Sequence, residues 1–226
     1  MGKERSNEME RRILVVLPHP DDEAFGFSGT LAKHIEEGTP VTYACLTLGE
    51  MGRNMGVPPF TNRVGLPLIR KAELEESCAA IGITDLRLLG FHDKMVEFEE
   101  AALIDGRIAA LLDEVKPSLV YTFYPGYAVH PDHDATGAAV VRAVAKLPEG
   151  GRPRVLCSAF ARDHEQEIGR ADVVNDVRGT LKQKVAAITA HRSQFQAAEL
   201  LGKNALSDKE LQQRFGTERF WTYRFR

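Results

Sequence analysis

The chain has 226 residues, of which 43% are hydrophobic and 27% are charged, and its formal net charge is −3. This composition is typical of a soluble globular protein, and the charge gives no electrostatic reason to expect binding to nucleic acid or an anionic membrane. No run approaches the ~18 apolar residues of a membrane span, and the charged N-terminus lacks an apolar export signal, so we expect a cytoplasmic protein.

Apolar strand-like runs alternate with helical patterns along the whole chain. Gly38 and Gly82 follow two of the predicted helices, and Pro117 follows a third. The predicted strands are 12–17, 41–48, 86–91, 118–124, 154–160 and 172–177, the predicted helices are 24–37, 69–81, 99–115, 132–146, 178–191 and 207–214, and an aromatic terminal edge segment is predicted at 219–225.

This alternation predicts an α/β fold in which a single domain forms a Rossmann-like, mostly parallel sheet with helices on both faces. Residues 1–11 are a charged N-terminal extension of that domain. The three cysteines are odd in number and widely spaced, so we expect reduced core residues. The stretch 50–68 has no helical period, and we interpret it as a functional loop, the alternative being a disordered insertion.

Two similar motifs follow the first and fourth predicted strands. "HPDDE" occupies residues 19–23 and "HPDH" occupies residues 130–133. In a doubly wound sheet of order 3-2-1-4-5 these strands are neighbours, and ligands bind at their carboxyl ends. The two motifs should therefore meet at the crevice where this fold places its sites.

Histidine and aspartate together favour a divalent metal, zinc in the first place, with iron or manganese as the alternatives. His19, one aspartate of 21–22 and one histidine of 130–133 would supply three ligands and leave one position open. A single motif could also be a helix start whose acids favour the helix dipole, but two motifs at one crevice favour a site. A dinucleotide is excluded, because the first turn lacks Gly-x-Gly-x-x-Gly and its aspartates would repel a pyrophosphate.

At these motifs the chain resembles the LmbE-like, or PIG-L, family of zinc-dependent N-acetylglucosamine deacetylases. The segments "LRLLGFHDK", "TFYPGYAVHPDH", "AHRSQ" and "FWTYRFR" are similar to the branch that deacetylates N-acetylglucosaminyl malate in bacillithiol biosynthesis. The resemblance implies a Zn²⁺ enzyme, with Fe²⁺ as the other candidate metal, that acts on a small N-acetylglucosamine conjugate. It also implies a homo-oligomer, either a trimer or a hexamer.

Carried over by motif position, the resemblance implies a role for each site residue. His19, Asp22 and His133 would bind the metal, and Asp21 would be the general base. His130 would stabilise the oxyanion, and Asp132 would orient His130 or tune its charge.

Further positions are expected to contact substrate or to support the site. Arg70 and Asp93 match family substrate contacts, whereas Arg53 and Arg63 could equally meet a substrate carboxylate or be surface charges. Tyr127 is one residue away from the position of a mobile family tyrosine, which is Ala128 here. His191, in "AHRSQ", could support the site or cap a helix dipole. The alternative functions are a deacetylase of another N-acetylglucosamine conjugate, a hydrolase of other amides or phosphoesters, and a non-catalytic zinc- or sugar-binding protein.

Overall fold

The computed structural model describes residues 11–196 and 208–225, so most of the predicted N-terminal extension lies outside the described residues. Its strands are β1 Ile13–Leu17, β2 Val41–Cys45, β3 Asp85–Leu88, β4 Leu119–Phe123, β5 Arg154–Ser158, β6 Val173–Asp176 and β7 Thr217–Thr222. Its helices are α1 Asp22–Gly26, α2 Ser28–Glu36, α3 Leu66–Ile81, α4 Ala101–Val115, α5 Pro131–Ala145, α6 His164–Ile168, α7 Leu181–Ala190 and α8 Asp208–Phe215.

The strands form one seven-stranded sheet in the order β3-β2-β1-β4-β5-β7-β6. β1 pairs in parallel with β2 and with β4, so that Ile13 faces Val41 on one side and Leu119 on the other. The predicted order of the first five strands is confirmed, and β1 and β4 are neighbours. Among the described residues, no helix is both long enough and apolar enough to span a membrane.

Helices cover both faces of the sheet, as the sequence predicts. One core cluster contains Leu31 of α2, Leu74 of α3 and Ile188 of α7, and the other contains Ile108 of α4 and Val140 of α5. β1, β2 and β4 are buried along their whole lengths because helices lie above and below them. All three cysteines are buried with free thiols, as expected.

The C-terminal aromatic segment is not at the edge of the sheet, and that prediction is wrong. β7 lies between β5 and β6 and is antiparallel to both. Phe220 is fully buried and Trp221 is 5% exposed. A strand at the edge of the sheet would leave such rings more exposed to solvent. Glu218 is buried on the same strand.

The predicted helix 24–37 is two helices, and the single-helix prediction is wrong. The chain breaks at Phe27, whose φ of −133° is not helical. The carboxylate of Glu218 accepts hydrogen bonds from the backbone N–H groups of Gly29 (3.0 Å) and Thr30 (2.7 Å). It also pairs with the buried ammonium of Lys184 at 2.6 Å. A long-range acid thus caps the start of α2, a position that local sequence does not mark.

Candidate active site

The end of β1 and the start of α5 bring the two predicted motifs together. His19 follows β1 by two residues, and His133 lies in the first turn of α5. His19 Nδ1 and His133 Nε2 are 3.2 Å apart. The ring of His133 is stacked on Phe123 at 4.1 Å between centroids, which fixes its plane at the end of β4. The crevice predicted from strand order therefore exists.

Strained backbone is concentrated around this crevice. Asp21, Lys94 and Val129 have φ values of 109°, 64° and 65°, in the left-handed region that disfavours residues other than glycine. The backbone N–H of Lys94 donates to the Asp132 carboxylate at 2.6 Å, and this hydrogen bond holds Lys94 in its left-handed conformation. Such strain persists only where surrounding contacts impose it, and it is typical of functional sites.

Three side chains converge on one point, and we call His19, Asp22 and His133 the ligand triad. The Asp22 carboxylate lies 3.5 Å from His19 Nδ1 and 3.1 Å from His133 Nε2. Ligands at the usual zinc distances in a tetrahedral site are separated by roughly 3.3 Å, close to these values. The spacing of the triad therefore suits one small divalent cation.

The hydrogen bonds of the outer ring nitrogens, which face away from the triad, also indicate that the triad suits a cation. His133 Nδ1 faces the carbonyl oxygen of Ala128 at 3.0 Å, and an oxygen acceptor requires a proton on that nitrogen. His19 Nε2 lies 3.2 Å from an Asp93 oxygen and 3.1 Å from an Asp132 oxygen, so its proton is also on the outer nitrogen. In the neutral rings, both inner lone pairs then face one point beside a carboxylate, and this arrangement fits a cation.

Two overlapping groups nearby also have metal-ligand spacing. The ring nitrogens of His19, His130 and His133 lie within 4.8 Å of one another, as do ligand atoms of His19, Asp93 and Asp132. In the triad, the longest of the separations given above is 3.5 Å, between His19 Nδ1 and the Asp22 carboxylate. The triad could hold one cation, and His19 is shared by all three groups.

Burial and neighbouring charges shift the pKa values of Asp21 and His130. Burial raises the pKa of Asp21 to about 6, while the guanidinium of Arg70 opposes that rise. Burial lowers the pKa of His130, and the nearby rings of His19 and His133 act in the same direction. A carboxylate with a pKa near neutrality and a neutral imidazole are both suited to moving protons at ordinary pH.

The side chain of Asp132 contacts His19 and not His130. This carboxylate is fully buried, and one of its oxygens lies near His19 Nε2. The backbone N–H of Asp132 donates to His130 Nδ1 at 3.1 Å, so the His130 side chain is the N-terminal cap of α5. The Asp132 side chain therefore does not orient His130 by direct contact. Its negative charge still opposes the lowering of the His130 pKa by burial, in line with the expected effect on the charge of His130.

Arg70 and Asp93 lie at the site but are engaged by the protein itself. Arg70 is 4% exposed and donates to Gly49 O and to an Asp21 carboxylate oxygen, both at 2.9 Å, and to Pro20 O. A Cβ on Gly49 would lie 1.8 Å from Arg70 Nη1, so a larger residue there would displace the guanidinium from the site. Asp93 accepts from Met51 N–H at 2.8 Å and faces His19. Both residues hold the site together.

The remaining predicted substrate residues are more peripheral. Arg53 is exposed and has no partner among the described residues, whereas Arg63 donates to the carbonyl oxygens of Glu50 and Gly52. Tyr127 lines a separate groove of about 1110 Å³ beside Tyr223 and the C-terminal segment. No member of the ligand triad lines that groove, and among the described residues the ring contact of Tyr127 is with Tyr124, at 5.6 Å between centroids.

Sequence reasoning missed the residue beneath the site. Glu23, which resembles an ordinary helix-start acid, is fully buried and bonded to His191 Nε2 at 2.7 Å. Of the two roles expected for His191, this contact favours support of the site. The sequence marked these two residues only through the family resemblance, because Glu23 lies in "HPDDE" and His191 lies in "AHRSQ".

Comparisons with known proteins agree with this geometry. The family model described as "PIG-L: GlcNAc-PI de-N-acetylase" matches residues 14–144, more than half of the chain. A Bacillus cereus protein named "Probable N-acetyl-alpha-D-glucosaminyl L-malate deacetylase 2" is 48% identical over 223 residues, which cover 96% of this chain and 100% of that protein.

Two solved structures are similar to this one. N,N'-diacetylchitobiose deacetylase from Pyrococcus horikoshii has a TM-score of 0.72 and 25% identity, over 95% of this chain and 84% of its own. GalB, the 4-carboxy-2-hydroxymuconate hydratase from Pseudomonas putida, also has a TM-score of 0.72, at 19% identity over 96% of this chain and 97% of its own. The second likeness shows the fold alone, so the chemistry must be argued from the site.

Proposed function

This chain belongs to the PIG-L family of GlcNAc-PI de-N-acetylases, and we propose that it hydrolyses the acetamide of N-acetylglucosaminyl malate, as in bacillithiol biosynthesis. The observation that carries the proposal is the convergence of two imidazole nitrogens and one carboxylate within 3.5 Å, beside a second carboxylate held by Arg70. The relative at 48% identity bears the name of an enzyme for this substrate, which supports malate as the group attached to the sugar.

We infer that the ligand triad holds Zn²⁺, with Fe²⁺ able to use the same ligands. His19 would bind through Nδ1, His133 through Nε2, and Asp22 through its carboxylate, because these are the atoms that face one another. A bound cation would lower the pKa of a coordinated water and polarise the acetyl carbonyl. Asp93 and Asp132 would fix the orientation of His19 from its outer nitrogen.

Asp21 is the general base in this proposal. It is adjacent to a ligand in sequence, and its carboxylate is held by the guanidinium of Arg70 at 2.9 Å. Its pKa, raised to about 6 by burial, lies near the pH at which a general base is most effective. Asp21 would accept a proton from the attacking water and return it to the departing amine, so that the amide C–N bond breaks and acetate is released.

His130 would stabilise the oxyanion as a neutral hydrogen-bond donor. Its Nδ1 accepts the backbone N–H of Asp132, so in the neutral ring the proton is on Nε2. The ring packs edge-on against His19 at 4.8 Å between centroids, which places it beside the triad. A positioned N–H donor of this kind stabilises the charge that develops on the carbonyl oxygen.

The test is amine release from three N-acetylated compounds by the zinc-loaded protein. The compounds are N-acetylglucosaminyl malate, free N-acetylglucosamine and an N-acetylglucosaminyl inositol, each assayed with and without a chelator. We expect chelator-sensitive release that is fastest from the malate compound. An absence of release from all three, with bound metal confirmed, would refute the proposal and favour another amide substrate or a binding protein.

A further inference from the structure

A buried carboxylate lies directly beneath the proposed base. Glu23 is fully buried, and both of its oxygens are occupied. One oxygen accepts from the backbone N–H of Asp21 at 3.1 Å and from the Tyr43 hydroxyl at 3.3 Å. The other accepts from the Ser77 hydroxyl at 2.5 Å and faces His191 Nε2 at 2.7 Å. Burying a charged carboxylate is costly unless it is satisfied in this way.

His191 reaches this acid from a distant part of the chain. It follows α7 and is separated from Glu23 by 168 residues, yet it is completely buried. Because a carboxylate accepts hydrogen bonds, the His191 Nε2–H is the donor. The next two residues of this segment also form hydrogen bonds with other parts of the chain. Ser193 donates its N–H to Glu73 at 2.7 Å, and the Gln194 side chain donates to Asn54 O at 3.1 Å.

The hydrogen bond from Asp21 to Glu23 supports an unfavourable backbone conformation at Asp21. Asp21 has a φ of 109°, which residues other than glycine seldom adopt. Its N–H donates to Glu23, and Arg70 donates to the carbonyl oxygen of Pro20 on the opposite side of the same peptide. Glu23 is in turn fixed by donors from α3 and from the segment after α7.

We propose that the Glu23–His191 pair is a positioning unit for Asp21. It holds the Asp21 peptide in its left-handed conformation, and so keeps the Asp21 carboxylate between Arg70 and the ligand triad. This inference rests on the proposed function, because it requires Asp21 to be the base. Neither member of the pair is a metal ligand or touches substrate; both act through Asp21.

The test separates positioning from general structural support. His191→Leu removes the donor, whereas His191→Gln keeps an N–H group that can reach Glu23. Because misplacement of a reacting group by about 1 Å can cost about 100-fold in rate, we expect kcat of His191→Leu to fall by about 10- to 100-fold. KM and the zinc dissociation constant should change less than about 2-fold, and His191→Gln should recover most of kcat.

A matched control lies in the same segment. Arg192 is exposed and pairs with Glu76 at 2.9 Å, away from Asp21. Arg192→Gln should therefore leave kcat unchanged. If the leucine variant does not fold, His191→Phe provides the same measurement, because it keeps an aromatic ring and removes the donor to Glu23.

Each outcome decides the inference. A kcat loss at constant KM and constant zinc affinity, with rescue by glutamine, supports it. Unchanged kcat in a folded, zinc-loaded His191→Leu or His191→Phe protein overturns it, as does a His191→Gln variant no better than His191→Leu. If the wild-type protein releases no amine from any of the three compounds, the proposed function fails instead.

Discussion

Changing Asp132 to asparagine should weaken metal binding, because its carboxylate contacts His19 and not His130. The substitution keeps an oxygen that can accept from His19 Nε2 at the present 3.1 Å, but it removes the negative charge. That charge makes the inner nitrogen of His19 a better metal ligand. The Asp132 backbone N–H, which donates to His130 Nδ1, is unchanged by the substitution.

The magnitude follows from the number of carboxylates on His19. Removing a partner of a metal-bound histidine typically costs 10- to 100-fold in affinity. Asp93 remains 3.2 Å from the same nitrogen, so we expect about 10-fold weaker zinc binding for Asp132→Asn, or about 1.4 kcal/mol. The double variant with Asp93→Asn should lose about 100-fold, because it removes both charges.

The assay is competition for zinc between the protein and a chromophoric chelator, with kcat measured at saturating zinc. Asp113→Asn is the matched control, since Asp113 is exposed on α4. We expect the control to bind zinc like the wild type. At saturating zinc, kcat of Asp132→Asn should stay within a few-fold of the wild-type value. Wild-type zinc affinity in the double variant, with a large loss of kcat in Asp132→Asn, would refute this account and restore the sequence-based role in orienting His130.

Three other perturbations test separate parts of the account. Asp21→Asn should retain zinc, measured by elemental analysis, and lose about 10²- to 10⁴-fold in kcat, because the base is removed; near-normal turnover would contradict its role. His130→Ala should lower kcat by about 10²- to 10³-fold with little change in KM, and a raised KM at constant kcat would argue against oxyanion stabilisation. Lys184→Met should lower the free energy of unfolding by about 3 kcal/mol, because the buried Glu218 loses its cation but keeps two backbone donors. Urea denaturation measures this change, and Lys184→Met combined with Glu218→Gln should recover part of it.

The sheet and the location of the site follow from local sequence. The apolar runs of β1, β2 and β4 predict buried parallel strands, and strand order then places "HPDDE" beside "HPDH". The position of β7 could not be obtained in this way, because its antiparallel partners β5 and β6 are chosen by the burial of Phe220 and Glu218. Local patterns record which residues are buried but not which strands they lie between.

The roles of individual side chains were harder to predict for the same reason. Asp132 follows His130 closely in sequence, which favours a contact between their side chains. The fold instead brings the loops that carry His19 and Lys94 onto the Asp132 carboxylate. Glu23 likewise resembles a helix-start acid in the sequence, but in the fold it contacts Ser77 of α3 and His191, which follows α7. These contacts depend on tertiary packing and have no local signal.

Anomalous X-ray diffraction at the zinc edge from crystals of the zinc-loaded protein would test the central claim most directly. The account predicts one strong peak about 2.0–2.2 Å from His19 Nδ1, His133 Nε2 and an Asp22 oxygen. A peak bound instead by His19 Nε2, Asp93 and Asp132, or no peak at the triad in a protein that is active and zinc-dependent, would contradict it.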